Sequence, residues 1–299
     1  MDHTKHTANT ASTPASAQIG ENFASSVYGP VHSWRAGWSL GIDLLLNTST
    51  CSFNCIYCQL GEIQLKTAER QCYVPTAKVQ ADFLAVDWQK ADIITFSGNG
   101  EPTLATNLGE VMRWIATQTQ SQTQSQTVNR AKIMVLTNGT LLNDPDVQQD
   151  LCAADIVAIK LDAATEAGLK QMNRPVAGIS VDNILTGILA FKRVYKAQNP
   201  QGKLALQCMF MPTNFALSRQ DEARAMADLI AKIAPDEVQL NTPKRLYPLE
   251  WTVDNRGNHD GEVPVATQVL RTVDEAEAHA IEQLIREASP GVAIRSIYS

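Results

Sequence analysis

The order in which apolar and amphipathic segments alternate limits the folds open to this chain more than any other feature. Six short runs are apolar at successive positions, which is typical of strands buried on both faces of a parallel sheet. They begin at Trp38 and then occupy residues 92–100, 132–139, 155–162, 204–212 and 237–243. Segments with helical periodicity separate these runs, at residues 76–89, 108–117, 145–153, 180–196 and 218–233.

This alternation predicts a parallel sheet whose strands are joined by right-handed helical crossovers. The eight strands that a closed (β/α)8 barrel requires cannot be found in the sequence. We therefore expect an α/β fold with an open, partial (β/α)6 barrel. Ligands of barrel-like α/β folds gather at the carboxyl ends of the strands, so functional residues should follow the apolar runs.

The composition of the remaining segments suggests how the chain is divided. Residues 1–22 are mostly small and polar without periodicity, which predicts a disordered tail. Residues 23–250 would form the core, and residues 251–299 a C-terminal extension with a helix at 274–289 and a strand-like end. The polar stretch TQTQSQTQSQT at 117–127 is expected to be an exposed loop without chemistry.

Composition and charge exclude several classes of protein. The 299 residues carry a formal net charge of −6, which argues against a non-specific nucleic-acid binder. No apolar run approaches the roughly 18 residues of a membrane span. The first twenty residues lack the apolar segment of a secretory signal, so we expect a cytoplasmic protein. In that reducing compartment, six cysteines are expected to be metal ligands or redox groups rather than a disulfide framework.

Three of the six cysteines lie in the segment CSFNCIYC, as Cys51, Cys55 and Cys58. The spacing i, i+4, i+7 also describes one face of a core helix. The flanking NTST and QLGE, with Gly61, carry no amphipathic pattern that would support such a helix. A structural zinc site usually takes four ligands in two pairs, whereas the other cysteines are scattered singly, as Cys72, Cys152 and Cys208. Three thiolates suit a [4Fe–4S] cluster whose fourth iron stays open to a cofactor or substrate.

The motif CxxxCxxC, with Tyr57 before its last cysteine, resembles the signature of the radical S-adenosylmethionine (radical SAM) superfamily. The segments GNGE, LTNG, KLDA and VQLNTP follow it in order. This wider pattern resembles a narrower branch, the small Fe–S oxidoreductases that are similar to wyosine (tRNA) synthases. The resemblance extends over about residues 28 to 243, in several ordered motifs.

This resemblance implies an enzyme whose [4Fe–4S] cluster reductively cleaves SAM to a 5′-deoxyadenosyl radical. The radical would abstract hydrogen from a substrate that the sequence does not identify, with tRNA as one candidate. The resemblance also implies a low-potential electron donor such as flavodoxin or ferredoxin, and the lack of a long apolar run predicts no membrane partner. A non-catalytic Fe–S protein for electron transfer or redox sensing, and a zinc-binding interaction domain, are the alternatives. Neither alternative needs a SAM pocket, so the GNGE motif favours the enzyme.

The GNGE motif (Gly98, Asn99, Gly100 and Glu101) ends the second apolar run. Its glycines would allow the backbone to approach a ligand closely. Glu101 offers a carboxylate to a cationic amine, and the resemblance implies that this motif binds the amino group of SAM. Taken by itself, the motif also fits an ordinary strand-to-helix turn.

Further candidate cofactor contacts follow the next strands. Asn138 lies in the TNG turn that ends the third run, and Lys160 and Asp162 share one face at the end of the fourth. The two charged residues would contact SAM or its substrate, or else pair with other charged groups. Tyr57 is implied to make contacts near the adenine. The NRP segment beginning at Asn173 matches a family motif whose role the sequence does not give.

One segment departs from the pattern of the wyosine synthase-like branch. It keeps Arg35 but has His32, Trp34 and Trp38 near or at positions where the branch commonly carries basic residues or proline. This departure does not favour a role for the segment in binding an anionic substrate. The isolated histidines likewise give little support to a histidine-based metal site.

Overall fold

The computed structural model describes residues 24–120, 130–211, 219–256 and 265–298. The prediction of a disordered tail at 1–22, most of the predicted loop at 117–127 and the predicted start of a helix at Ser218 lie outside these residues. None of the helices in the described ranges combines the length and apolar character needed to cross a membrane bilayer.

Strands lie in each of the six predicted apolar runs and also outside them. They are β1 Val27–Ser33, β2 Gly37–Ile42, β3 Thr50–Cys51, β4 Leu65–Lys66, β5 Ile93–Phe96, β6 Lys132–Thr137, β7 Ile156–Lys160, β8 Lys203–Met209, β9 Glu237–Asn241, β10 Leu246–Pro248, β11 Thr267–Val269 and β12 Ala293–Ser296. The α-helices are α1 Thr76–Leu84, α2 Leu108–Gln118, α3 Pro145–Leu151, α4 Glu166–Met172, α5 Val181–Gln198, α6 Arg219–Ile233 and α7 Glu275–Ala288.

Eight of the strands form one sheet in the order β1-β2-β5-β6-β7-β8-β9-β12. All neighbours from β2 to β12 are parallel, and β1 runs antiparallel to β2. The sheet is open and curled, so the predicted partial barrel is confirmed. The curl brings the two ends of the strand order together, because Nη1 of Arg295 in β12 donates to the carbonyl of Arg35 between β1 and β2 (2.8 Å).

Two strands of this sheet lie outside the six predicted units. The sequence did not indicate β1, whose VYGPVHS segment lacks a continuous apolar run. The sequence predicts a C-terminal extension that includes the strand-like end of the chain, and in the structure this strand, β12, pairs with β9 in the main sheet. Both strands therefore complete the same curled sheet that carries the six β-α units.

Helices α3 and α5 begin directly after the capping residues that the sequence predicts. The Asp144 side chain accepts from the backbone N–H of Asp146 at the start of α3, and the Ser180 side chain accepts from that of Asn183 at the start of α5. Asp274 and Glu277 form a capping box at the start of α7. These caps satisfy backbone donors that would otherwise lack partners and fix where each crossover helix starts.

The two faces of the sheet differ in polarity. Leu40, Ile94 and Leu206 belong to the apolar core. The inner face instead carries polar pairs, in which the Ser39 and Thr95 hydroxyls lie 2.7 Å apart and Gln207 donates to Gln239 (2.9 Å). The prediction that mid-strand Gln207 needs a partner is confirmed, and the inner face borders a cavity. The following residues of the main sheet line that cavity: Tyr28, Val31, Ser33, Ser39, Gly41, Thr95, Met134, Leu136, Thr137, Lys160, Gln207, Cys208, Met209, Gln239 and Asn241.

Candidate functional site

The three clustered cysteines converge on the cavity inside the curled sheet. Cys51, Cys55 and Cys58 all line this space of about 270 Å³, and all three are free and half-buried. The segment from β3 onward forms turns, with the backbone N–H of Cys58 donating to the carbonyl of Cys55 (3.0 Å). The alternative of a core helix through these cysteines is therefore wrong.

Burial keeps all three thiols protonated in the absence of a positive ligand. Removal from water raises the pKa of Cys51 and Cys58, and raises that of Cys55 to about 12. At Cys51 and Cys55, neighbouring acidic groups raise the pKa further. A group that binds these sulfurs as thiolates must supply enough positive charge to displace three protons, as metal centres do.

Two of the sulfurs are held by amide donors. Nδ2 of Asn138 lies 3.5 Å from the Cys51 sulfur, and Nδ2 of Asn173 lies 3.3 Å from the Cys55 sulfur. The backbone N–H of Phe53 donates to the Cys51 sulfur as well (3.4 Å). Donors of this kind stabilise thiolate ligands and tune iron–sulfur clusters.

The three thiols match the ligand type of an iron–sulfur cluster. Within the described ranges, no three His, Cys, Asp or Glu side chains are grouped to hold one metal ion. In a [4Fe–4S] cluster each cysteine binds its own iron, so the sulfurs need to face one space without meeting at a point. The three thiols on one cavity wall, with amide donors on two of them, fit such a cluster.

The GNGE segment lies directly against the cysteine loop, which we define as residues 50–58. The backbone N–H of Thr50 donates to the carbonyl of Asn99 (2.8 Å), and that of Glu101 donates to the carbonyl of Thr50 (2.9 Å). Gly100 has φ +145°, and a Cβ there would overlap the carbonyl oxygen of Thr50. This glycine is required by the contact between two backbones, while Gly98 and Gly100 also line the cavity.

Glu101 connects the GNGE and TNG turns. Its carboxylate is only 2% exposed and accepts from the Thr103 backbone N–H and hydroxyl, from the Thr137 hydroxyl and from the Asn138 backbone N–H, at 2.6 to 3.0 Å. Burial raises the pKa of Glu101, and the hydrogen bonds from these donors partly lower it. The side chain also lines the cavity, where a cationic group would offset the cost of its burial.

The Asn99 side chain has protein partners at both ends of its amide. Nδ2 donates to Oδ2 of Asp43 (2.7 Å), and Oδ1 accepts from the indole N–H of Trp251 (3.0 Å). Asn99 is fully buried and is absent from the cavity wall. Its contact with a cofactor stays a prediction, and its observed contacts position the GNGE turn.

A second network joins the cysteine loop to the end of β7. The Asp162 carboxylate accepts from the Tyr57 hydroxyl, from Nδ2 of Asn173 (2.8 Å) and from the Met209 backbone N–H (2.9 Å). Lys160 lies 3.7 Å from the same carboxylate and 4.8 Å from the centre of the Tyr57 ring. Lys160 and Tyr57 reach the cavity wall, whereas the buried Asp162 does not.

Sequence reasoning missed a third group at the end of β2. Asp43 has no exposed side-chain surface, and its carboxylate accepts from Nη1 of Arg256 (3.2 Å) as well as from Asn99. The Arg256 guanidinium also lies 5.0 Å from the centre of the Tyr28 ring. The only available signal was a single acidic residue at the start of the apolar run DLLL.

The other three cysteines lie outside the cysteine loop and differ in their burial. Cys208 is buried in the apolar core, and half-buried Cys152 packs against that core, as predicted for small core residues. Cys208 also borders the cavity without joining the cysteine loop. Cys72 is exposed, and its thiol donates to the carbonyl of Val74 (3.4 Å).

A family model and a curated protein match this chain in sequence. The family model described as the radical SAM superfamily matches residues 47–200. The UPF0026 protein slr1464 of Synechocystis is 40% identical over 269 residues, which make up 90% of this chain and 94% of that protein.

Two solved structures have a similar fold at low sequence identity. SuiB of Streptococcus suis, crystallised with S-adenosylmethionine, matches with a TM-score of 0.53 and 11% identity. The match covers 83% of this chain and 48% of SuiB, so the chain spans about half the length of that protein. A radical SAM methyltransferase from Sphaerobacter thermophilus matches with a TM-score of 0.52 and 16% identity, over 87% of this chain and 66% of that one.

Proposed function

Because the chain belongs to the radical SAM superfamily, we propose that Cys51, Cys55 and Cys58 hold a [4Fe–4S] cluster at which SAM is cleaved. The resemblance noted in the sequence is confirmed for the superfamily, whose cofactors are a [4Fe–4S] cluster and SAM. The resemblance to the wyosine synthase-like branch stays a prediction. The observation that supports the residue assignment is the single cavity that the three thiols share with the GNGE and TNG turns.

The bound cofactors would supply the radical chemistry, namely reductive cleavage of SAM and abstraction of hydrogen from the substrate. The chain would supply the ligands and their orientation. Asn138 and Asn173 would hold the Cys51 and Cys55 sulfurs in place through their amide groups.

We assign the SAM contacts to the turns on the cavity wall. Glu101 would accept the ammonium group of SAM, because it is the carboxylate that reaches this wall in the described part of the chain. Gly98, Gly100, Asn138, Lys160 and Tyr57 line the same space and remain candidate contacts. For Asn99 and Asp162, whose side chains are buried away from the cavity, a positioning role fits their hydrogen bonds better than direct contact.

The partners and location of the enzyme are proposed from chemistry and resemblance. Reduction of the cluster requires a low-potential donor, for which flavodoxin or ferredoxin is suitable, and an oxygen-labile cluster suits the cytoplasm. The wyosine synthase-like pattern makes tRNA a substrate to test, while the net charge of −6 argues against broad RNA affinity. A non-catalytic Fe–S protein is the competing function.

Anaerobic reconstitution with iron and sulfide, followed by EPR with and without SAM, tests the proposal. We expect a reduced [4Fe–4S] signal that changes when SAM is added, and formation of 5′-deoxyadenosine under dithionite. Replacing Cys51, Cys55 and Cys58 together with alanine should abolish bound iron, whereas Cys152→Ala should retain it. Full iron content in the triple variant would disprove the ligand assignment. If the EPR signal of the cluster does not change when SAM is added, the non-catalytic Fe–S protein is favoured instead.

A further inference from the structure

The NRP segment at 173–175, for which the sequence indicated no role, lies against the cysteine loop. Three backbone hydrogen bonds join residues 172–176 to this loop. They run from the N–H groups of Val176, Asn54 and Ile56 to the carbonyls of Ser52, Asn173 and Met172 respectively, at 2.8 to 3.0 Å. The end of α4 and the ligand-bearing loop are therefore held together by their backbones.

The residues of the NRP segment explain why α4 ends at this point. The backbone N–H groups of Asn173 and Arg174 both donate to the carbonyl of Leu169, at 2.9 and 3.1 Å, and Arg174 has φ +46°. A left-handed residue after the last turn is a common helix end, and Pro175 cannot continue the helix because it lacks an N–H group. The chain thus leaves the helix at Asn173, whose side chain contacts the cysteine loop.

The Asn173 side chain is only 1% exposed, and its nitrogen faces three acceptors. Nδ2 lies 3.3 Å from the Cys55 sulfur, 3.1 Å from the Tyr57 hydroxyl oxygen and 2.8 Å from Oδ2 of Asp162. A carboxylate only accepts hydrogen bonds, so Asp162 fixes which end of the amide faces these groups. The Cys55 sulfur therefore meets an N–H group and not the amide oxygen.

The corresponding contact at Cys51 is longer and serves another acceptor. Nδ2 of Asn138 lies 3.5 Å from the Cys51 sulfur but 2.8 Å from the Ser52 hydroxyl. Asn138 also lines the cavity, whereas Asn173 is not among the described residues on the cavity wall. Asn173 can therefore affect a group in the cavity through the cysteine loop, without touching that group.

We propose that Asn173 is a positioning residue that raises the reduction potential of the cluster through the Cys55 thiolate. The proposal rests on the proposed function, because it assumes that Cys55 is a ligand of the cluster. Reduction adds one negative charge to a cluster and its sulfur ligands, and an N–H group that faces a ligand sulfur stabilises this charge. Because Asn173 is buried, water does not replace or screen its N–H group. A higher potential makes the cluster easier for a low-potential donor to reduce.

An EPR-monitored redox titration of the reconstituted protein, without SAM, measures the midpoint potential that tests this role. Asn173→Leu removes the N–H group from the Cys55 sulfur and should shift the midpoint to a more negative potential. We expect reduction of the cluster to be disfavoured by about threefold to tenfold, the range for one hydrogen bond. The titration reports only on bound clusters, so a lower iron content in the variant does not obscure the shift.

Two further variants separate the hydrogen bond from a general loss of stability. Asn199→Leu removes a half-buried amide whose Nδ2 donates to the carbonyl of Ala154 (2.9 Å), and it should keep the parent potential. Asn173→Ala removes the same N–H group as Asn173→Leu without adding a larger apolar side chain. It should shift the potential in the same direction, and it provides the measurement if Asn173→Leu binds no iron.

Three outcomes contradict the proposal. The first is a parent-like potential in the Asn173 variants that retain a cluster. The second is an equal shift in Asn199→Leu, because the shift would then follow from lost stability. The third is loss of all iron from both Asn173 variants, since Asn173 would then be required for cluster binding and not for the potential.

Failure of this proposal can be told apart from failure of the proposed function. If the Asn173 variants keep the parent potential while the parent cleaves SAM to 5′-deoxyadenosine, the radical SAM assignment stands and the role of Asn173 is wrong. If the parent binds a cluster but cleaves no SAM, the proposed function is wrong. The measured potentials still decide the role of Asn173 in that case, because the titration needs no SAM.

Discussion

Two parts of the cavity wall are built in opposite ways. The cysteine wall consists of Cys51, Cys55 and Cys58 with the turns at 98–101 and 137–139, and its polar groups are held by hydrogen bonds within the protein. The arginine wall consists of Arg35 and Arg245, whose charges face the same space, with no carboxylate beside Arg35 in the described residues. The first wall is held by hydrogen bonds within the protein, whereas the second brings the Arg35 side chain to the cavity with no carboxylate beside it among the described residues.

This comparison predicts that changes to the cysteine wall will affect stability strongly. Gly100→Ala should have the largest effect, because the new Cβ would overlap the carbonyl oxygen of Thr50 and alanine rarely adopts φ +145°. We expect a loss of about 4 kcal/mol or more in the free energy of unfolding, or a failure to fold. Thermal unfolding measures the effect.

The matched control is Gly178→Ala, at φ +88° with open space around its Cβ position. It should cost only the backbone strain of about 1 kcal/mol. If Gly100→Ala and Gly178→Ala proved equally stable, the close contact between the GNGE turn and the cysteine loop would be refuted.

Asp162→Ala should have the next largest effect. It removes the acceptor of the Tyr57 hydroxyl, the Asn173 amide and the Met209 backbone N–H, and it leaves Lys160 without its carboxylate. Loss of one partner from a buried charge pair costs about 3 kcal/mol. Denaturant unfolding of the variant gives the value, and its iron content after reconstitution should fall because Asn173 also holds Cys55.

Asp87→Ala serves as the control for this change. Asp87 and Lys90 form an exposed pair, at 55% and 72% side-chain exposure, so its removal should cost less than about 1 kcal/mol. An Asp162→Ala variant as stable as Asp87→Ala, with full iron content, would contradict the positioning role of Asp162.

Glu101→Gln should weaken SAM binding by roughly tenfold, because a neutral amide loses the attraction to the ammonium group of SAM. Calorimetry on the reconstituted protein measures the affinity. Glu69→Gln, at an exposed position, is the matched control for the charge change. Equal SAM affinity in Glu101→Gln and the parent would show that Glu101 only joins the two turns.

The smallest effect is expected on the arginine wall. Arg35→Gln should change the free energy of unfolding by no more than about 0.5 kcal/mol, since no carboxylate partner among the described residues loses its charge pair and repulsion with Arg245 is relieved. Thermal unfolding beside Arg193→Gln, on the exposed surface of α5, checks this. A large destabilisation by Arg35→Gln would mean that the arginine wall is structural, and the contrast between the two walls would disappear.

Most of the cysteine wall could be predicted from the sequence because its parts are short local motifs. CSFNCIYC, GNGE and TNG each follow a strand, and the carboxyl ends of parallel strands meet at one edge of the sheet. The apolar runs, the helix caps at Asp144 and Ser180, and the open α/β architecture were predictable for the same reason. Local periodicity and spacing report which residues are buried and where each element begins.

The contacts that depend on the curl of the sheet could not be predicted from the sequence. Arg256 meets Asp43 across 213 positions, and Arg295 meets the carbonyl of Arg35 across 260. The irregular strand β1, the burial of Asn99 and Asp162, and the approach of Arg35 to Arg245 belong with these contacts. The sequence by itself determined which candidate ligand motifs are present, because each motif is a contiguous segment. Only the tertiary structure decided which charges face the cavity, because the sheet's closure depends on the summed twist and packing of all its strands, which no single segment encodes.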